Sequence, residues 1–218
     1  MHTAKIKAIT QSLIEGVNTP EEFIAYTARV SNPSNQMNNE TAPKLLNYCA
    51  RNNHWSVFEM VNVVMEIETT RDIARQILRH RSFSFQEFSQ RYADPTKDLG
   101  FVSREARLQD KKNRQNSIET DNEKLAGTWN TLQTVVRAAS IDAYNWAIEN
   151  GVAKEQARAV LPEGLTVSRM YMNGTVRSWI HYCQLRMKNG TQKEHMQVAQ
   201  SAWDELNKYF HSLTVVGS

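Results

Sequence analysis

From Asp121 to Asn150 seven apolar residues recur in alternating steps of four and three: Leu125, Trp129, Leu132, Val136, Ala139, Ala143 and Trp146. Steps of that size return to one face of an α-helix and do not fit a strand, whose faces alternate every two residues. The stretch is therefore committed to one long helix, with Gly151 placed to stop it. An apolar stripe needs a cover. Core packing is the first reading; the coiled-coil-like spacing leaves contact with another subunit as the alternative.

The other elements are shorter. Residues 3–9 have weak strand character. Thr19-Pro20-Glu21-Glu22 combines a cap, a first-turn proline and a capping-box glutamate, so a helix follows to about Val30 and stops near Asn32-Pro33. A second helix covers roughly residues 42–51. Val61, Val63, Met65 and Ile67 alternate with more polar positions and mark the best strand, 61–68. Thr69-Thr70 then offers a cap for a helix from Arg71 to about His80. Residues 94–121 are polar and weakly periodic and read as a loop with some helix. Beyond the long helix come a short helix at 154–161, a strand at 166–172, and helices at 175–185 and 191–211. Helix exceeds strand, and the two do not alternate as a doubly wound fold requires. The fold class is α+β, a mixed or antiparallel sheet packed with several helices. The 218 residues suit a single domain, 1–218, with a real core.

Charge narrows the function. Basic side chains number 26 against 23 acidic ones, a net of +3, which argues against a protein that coats nucleic acid. No apolar run is long enough to span a membrane, and the start of the chain has no secretory core. Cys49 and Cys183 are far apart, which suits a reducing cytoplasm and buried thiols. His54, His181 and His195 lack metal-site spacing, so no metal is expected.

The basic residues do cluster. Arg79-His80-Arg81-Ser82-Phe83-Ser84-Phe85-Gln86-Glu87-Phe88-Ser89-Gln90-Arg91 reads R-H-R-x-x-S-x-x-x-x-S-x-R. Guanidinium groups are planar, permanently charged donors that suit phosphates and the carbonyl edges of bases. On residue type alone, Arg71, Arg75 and Arg79 form a helix-surface stripe facing solvent or a subunit. Ser84 and Ser89 have no visible Asp/His partner and read as hydrogen-bonding groups. Glu59 reads as a structural partner.

That run resembles the signature of the flavin-dependent thymidylate synthases. His54-Trp55-Ser56-Val57-Phe58-Glu59 resembles the family's H-x-[ST]-x-[FL]-E segment. Ala157-Arg158-Ala159-Val160-Leu161-Pro162 resembles its A-R-x-x-L-P segment, and residues 173–186 resemble the block that ends in Leu-Arg. Many members carry Asn where Gln86 stands. The pieces follow the family's order over about residues 50–200. The resemblance implies FAD as cofactor, held by His54, Ser56, Arg79, His80, Arg81, Glu87, Thr175, Arg177 and His181. It implies deoxyuridine monophosphate (dUMP) as substrate, held by Gln76, Arg79, Glu87, Ser89, Arg91, Arg158 and Arg186. Arg186, the catalytic residue, would sit by the uracil ring and favour charge on its N3–C2=O edge.

The implied reaction is reductive methylation of dUMP to dTMP, with 5,10-methylenetetrahydrofolate and NADPH as co-substrates. The hydride comes from reduced flavin, and no protein nucleophile is needed. The same resemblance implies a homotetramer. A flavin-dependent deoxyuridylate hydroxymethylase is the near alternative. A nucleic-acid-binding module built on the aromatic and arginine run is the distant one.

Overall fold

A computed structural model describes residues 1–213. Its centre is a four-stranded antiparallel sheet in the order β1 (Thr3–Ile9), β2 (Asn62–Thr70), β6 (Val167–Thr175), β3 (Ser84–Glu87). The β2–β6 ladder is unbroken from Asn62↔Thr175 to Thr70↔Val167. Val63, Met65 and Ile67 of β2 and Met170 and Met172 of β6 point to one face, which is fully buried. Against it pack α1 (Pro20–Ala28), α2 (Ala42–Arg51), α3 (Arg71–Ile77), α7 (Val176–Arg186) and α8 (Lys193–Leu206). The fold is α+β, as the patterning predicts.

Local signals explain most boundaries. Thr19 and Glu22 form the expected capping box of α1. Thr175 caps α7 by accepting from the Ser178 N–H at 3.2 Å. Two strands run straight into helices, β2 into α3 at Thr70/Arg71 and β6 into α7 at Thr175/Val176. Thr70 therefore ends a strand, and its hydroxyl meets Asp72 instead of capping the helix. Gly174 is needed where β6 passes under Phe83: a Cβ there would lie 2.4 Å from the ring. Helix α3 stops at Ile77, so Arg79 to Arg81 occupy a turn.

The sequence reading is corrected in four further places. First, β3 lies inside the arginine-rich run and went unpredicted, being only four residues on a sheet edge. Second, the polar stretch holds one turn of helix, α4 (Pro95–Asp98), and a hairpin of β4 (Arg107–Gln109) and β5 (Ser117–Glu119), closed by Asp110 accepting from the Lys112 and Asn113 N–H groups. Third, Arg71 is buried, not on the surface, and pairs with Glu87 and Glu163.

The fourth concerns the long helix. It is present as α5 (Glu123–Glu149), capped by Asn122 and followed by Gly151 at φ +79°. Its stripe does not pack into the core: Leu132, Val136 and Trp146 are 54%, 50% and 63% exposed. The side of α5 that is buried here uses Gln133, Tyr144 and Ala147 instead. Tyr144 and Ala147 pack against Leu161 and Ala157, next to α6 (Lys154–Ala157). No helix among the described residues is long and apolar enough to cross a membrane.

Candidate active site

The C-terminal ends of α3 and α7 meet. Arg186, in the last turn of α7, donates its Nε–H to His80 Nε2 at 2.9 Å. A helix C-terminus favours a cation, and among the described residues the anchor is made through Nε, with no partner on the two terminal nitrogens of the fork. The His80 ring stands edge-on to Tyr182 at 4.9 Å. Burial, then the Arg186 charge, lowers His80 to about 4, so it is a neutral acceptor at physiological pH. Gln76, one turn before the helix end, donates to Gln192 at 2.8 Å and contacts His195 at 3.2 Å.

A second group lies at the β3 edge. Glu87 accepts from the buried Ser168 hydroxyl at 2.7 Å and faces Arg71 at 3.4 Å. Beside it is a cavity of about 260 Å³ lined by Arg71, Arg75, Gln90 and Arg158, with Glu163 pairing to Arg75. Gln90 is only 4% exposed, and its side-chain nitrogen has no partner among the described residues. A buried N–H without an acceptor costs free energy, so its presence beside three guanidinium groups, two of them paired with Glu163, gives the cavity a donor-rich lining suited to an anion. Ser89 and Arg91 flank Gln90. The Arg91 guanidinium is exposed and faces Glu155 at 3.4 Å.

A third group gathers His54, Ser56, Thr175, Arg177 and His181 near the start of α7. Arg177 pairs with Glu59, the structural partnership expected of that carboxylate. His181 meets Trp55 edge-on at 4.7 Å, and His54 meets Tyr48 at 5.8 Å. Burial, then Arg177, keeps His181 below its usual range. Arg79 and Arg81 are exposed on the turn after α3. Exposed guanidinium groups and imidazoles beside flat aromatic edges fit a dinucleotide carrying a pyrophosphate and ring systems.

The predicted residues thus form three groups, and within one chain these do not close into a single pocket. Another cavity, of about 710 Å³, lies elsewhere, between the β4–β5 hairpin and the starts of α5 and α8. Its apolar wall includes Leu125 and Trp129 of the exposed stripe, and only Gln192 links it to the Gln76 group. The sequence reading missed Gln90 and Arg71 as cavity residues. Gln90 sits at an unspecified position of the signature, and Arg71 looks like any helix-face arginine. It also missed Tyr182 and His195, whose partners lie on different helices. Cys49 and Cys183 are buried, as expected, and burial pushes both thiols upward, Cys183 far more.

Comparison with known proteins follows the same lines. The family described as thymidylate synthase complementing protein matches residues 12–210. A probable flavin-dependent thymidylate synthase of Paramecium bursaria Chlorella virus 1 is 51% identical over 97% of this chain and 96% of its own length. A flavin-dependent thymidylate synthase of Synechocystis sp. is 50% identical over 88% of this chain and 86% of its own. Among solved structures, the UMP/dUMP methylase PolB from Streptomyces cacaoi bound with 5-Br dUMP superposes with a TM-score of 0.79 at 23% identity, covering 100% of this chain and 96% of that one, which speaks to the fold.

Proposed function

The chain belongs to the flavin-dependent thymidylate synthase family, and from that premise we propose that it methylates dUMP to dTMP using FAD, NADPH and 5,10-methylenetetrahydrofolate. The observation that carries the substrate reading is the 260 Å³ cavity with its orphaned Gln90 donor among Arg71, Arg75 and Arg158. A nucleotide phosphate is dianionic near neutral pH, and each charged hydrogen bond to it contributes about 1.5–3 kcal/mol. Ser89 and Arg91 complete the phosphate end from the adjoining turn, and Glu87 is held for the sugar side by Ser168.

His54, Ser56, Arg79, His80, Arg81, Glu87, Thr175, Arg177 and His181 would hold FAD. When bound, reduced flavin supplies the hydride. Arg79 faces both guests. Arg186 presents its free nitrogens to the N3–C2=O edge of uracil, and its charge makes C5 of the ring more nucleophilic toward the folate methylene. Neutral His80 fixes the direction of that guanidinium by accepting from its Nε–H. No cysteine is required. The two thiols are buried and their pKa values raised, the reverse of an activated nucleophile. Two unpaired thiols also suit work in the cytoplasm.

The test is direct. Purified protein should be yellow, NADPH oxidation should respond to dUMP, and the product should have the mass of dTMP. Colourless protein that takes up no flavin overturns the reading, and 5-hydroxymethyl-dUMP as product transfers it to the hydroxymethylase. The double variant Cys49→Ala/Cys183→Ala should keep turnover within about threefold of wild type, because removing a buried thiol costs packing and not chemistry. Loss of turnover in a folded double variant would instead point to thiol catalysis.

A homotetramer is part of the same proposal. It is supported by the exposed α5 stripe and by site groups left open within one chain. Leu132→Glu with Trp146→Glu would put two charges where another copy docks. Sedimentation velocity should then show smaller species, with dUMP-dependent turnover falling at least about tenfold, since an unpaired charge in an apolar interface costs several kcal/mol. An unchanged sedimentation coefficient would remove α5 from the interface.

A further inference from the structure

His195 belongs to no motif and touches none of the groups of the signature except one. It is fully buried on α8, and both ring nitrogens have partners: Nδ1 lies 3.2 Å from Gln76 Oε1 and Nε2 lies 3.1 Å from the Tyr182 hydroxyl. Gln76 Nε2 donates to Gln192 Oε1 at 2.8 Å, and Gln192 Nε2 donates to Glu194 Oε2 at 3.0 Å. Glu194 is in turn gripped by Arg104 at 2.9 Å and by Arg107.

A carboxylate between two guanidinium groups can only accept. The polarity of the chain is thereby set from that end. Gln192 must offer its amide nitrogen to Glu194, so its oxygen faces Gln76. Gln76 must then offer its own nitrogen to Gln192, so its oxygen faces His195. His195 must donate from Nδ1 and accept the Tyr182 O–H at Nε2. Burial, then the neighbouring Arg186 and His80, holds His195 near 3, which keeps it in this neutral tautomer. The Gln76 amide cannot turn over without breaking two hydrogen bonds.

We propose that His195 is a positioning residue that, together with Gln192, holds the Gln76 amide with a free N–H outward, and so makes the nucleotide site select uracil over cytosine. This rests on the reading that Gln76 lines the dUMP site. With Arg186 donating to O2, an acceptor that uracil and cytosine share, the acceptor left on uracil is O4. Cytosine carries an amino donor at that position, and two donors cannot pair. A Gln amide free to flip would offer its oxygen and accommodate cytosine. The fixed amide refuses it, by the logic of a polar group left unpaired with the wrong ligand.

The experiment measures dUMP and dCMP binding to the flavin-loaded protein by titration calorimetry, in wild type, His195→Leu, His195→Asn and Gln76→Ala. His195→Leu should lower the dUMP/dCMP affinity ratio by about tenfold, one lost hydrogen-bond discrimination. His195→Asn, whose amide nitrogen stands where Nδ1 stood, should keep the ratio within about threefold of wild type. Melting curves check that each variant is folded, and Tyr182→Phe/His195→Leu, which leaves no orphan hydroxyl, replaces His195→Leu should that variant unfold. A His195→Leu protein that weakens both nucleotides equally, or neither, overturns the proposal. If Gln76→Ala abolishes the selectivity while His195→Leu preserves it, the locking role alone fails. If Gln76→Ala binds both nucleotides as wild type does, the placement of Gln76 in the nucleotide site fails with it.

Discussion

Arg186→Ala is expected to retain its flavin and to lose at least about a hundredfold in dUMP-dependent turnover, the usual size of effect when a preorganised charge aimed at developing charge is removed. The geometry says why the loss falls on chemistry. Among the described residues Arg186 uses its Nε–H, in the bond to His80, and its terminal nitrogens stand available for the proposed ligand. Alanine removes those donors and the charge together. Of the residues proposed to hold FAD, His80 loses this partner, whereas His54, Ser56, Arg177 and His181 make no contact with Arg186 among the described residues. Arg186→Lys should recover part of the rate, because one ammonium cannot both anchor to His80 and present a planar pair of donors. Flavin absorbance measures retention, and single-turnover oxidation of the reduced flavin measures the rate. Wild-type turnover in the alanine variant would remove Arg186 from the reaction.

The second large effect concerns stability. Glu194→Ala should destabilise the fold by about 3–5 kcal/mol, the cost of breaking a buried ion network from one side. Glu194 is 5% exposed and carries both Arg104 and Arg107, whose side chains are themselves only 13% and 12% exposed. Without it Arg104 keeps Asp72 at 2.7 Å, but Arg107 keeps only Glu105 at 3.5 Å. The same residue gives the protein an acid limit. Burial alone would raise its pKa, but the Arg107 hydrogen bond, its backbone hydrogen bond and the two arginine charges outweigh burial and bring it to about 2. A carboxylate whose folded pKa is depressed contributes stability above its unfolded value, near 4.5, and loses it as pH falls toward 2. Urea unfolding between pH 6 and pH 2 should therefore show a fall in stability on the order of 3 kcal/mol attributable to this group. It should be absent in Glu194→Ala, and an equal acid loss in that variant would assign the effect elsewhere.

Much of the architecture was legible in the chain. The alternation of Val63, Met65 and Ile67 gave the central strand and its buried face, Thr19 and Glu22 gave a helix start, and the three-four spacing gave α5. What could not be read was the cover of that spacing. Periodicity reports that a face is apolar, not what it meets, and the helix turned a different side to its own chain. The β4–β5 hairpin was invisible because its strands are only three residues each and mostly exposed.

The site divided the same way. The residues named from the signature do fall into groups with coherent chemistry. The residues proposed to set their orientation, Tyr182 on α7 and Gln192, Glu194 and His195 at the start of α8, meet the signature groups only through tertiary packing. No local spacing could have announced them.

The two helices that bring His80 and Arg186 together spring from opposite ends of one pair of strands, with no linker at either junction. The ladder between those strands therefore acts as a gauge for the reaction centre. A slip of one residue along it would displace one helix origin against the other by about 3.3 Å and turn each strand's inward side chains outward. Length changes in this chain belong at the tip of the hairpin after α4, residues 110–116, beyond Arg107 and its bond to Glu194. In the two central strands even one added or deleted residue would put the imidazole and the guanidinium out of reach of each other.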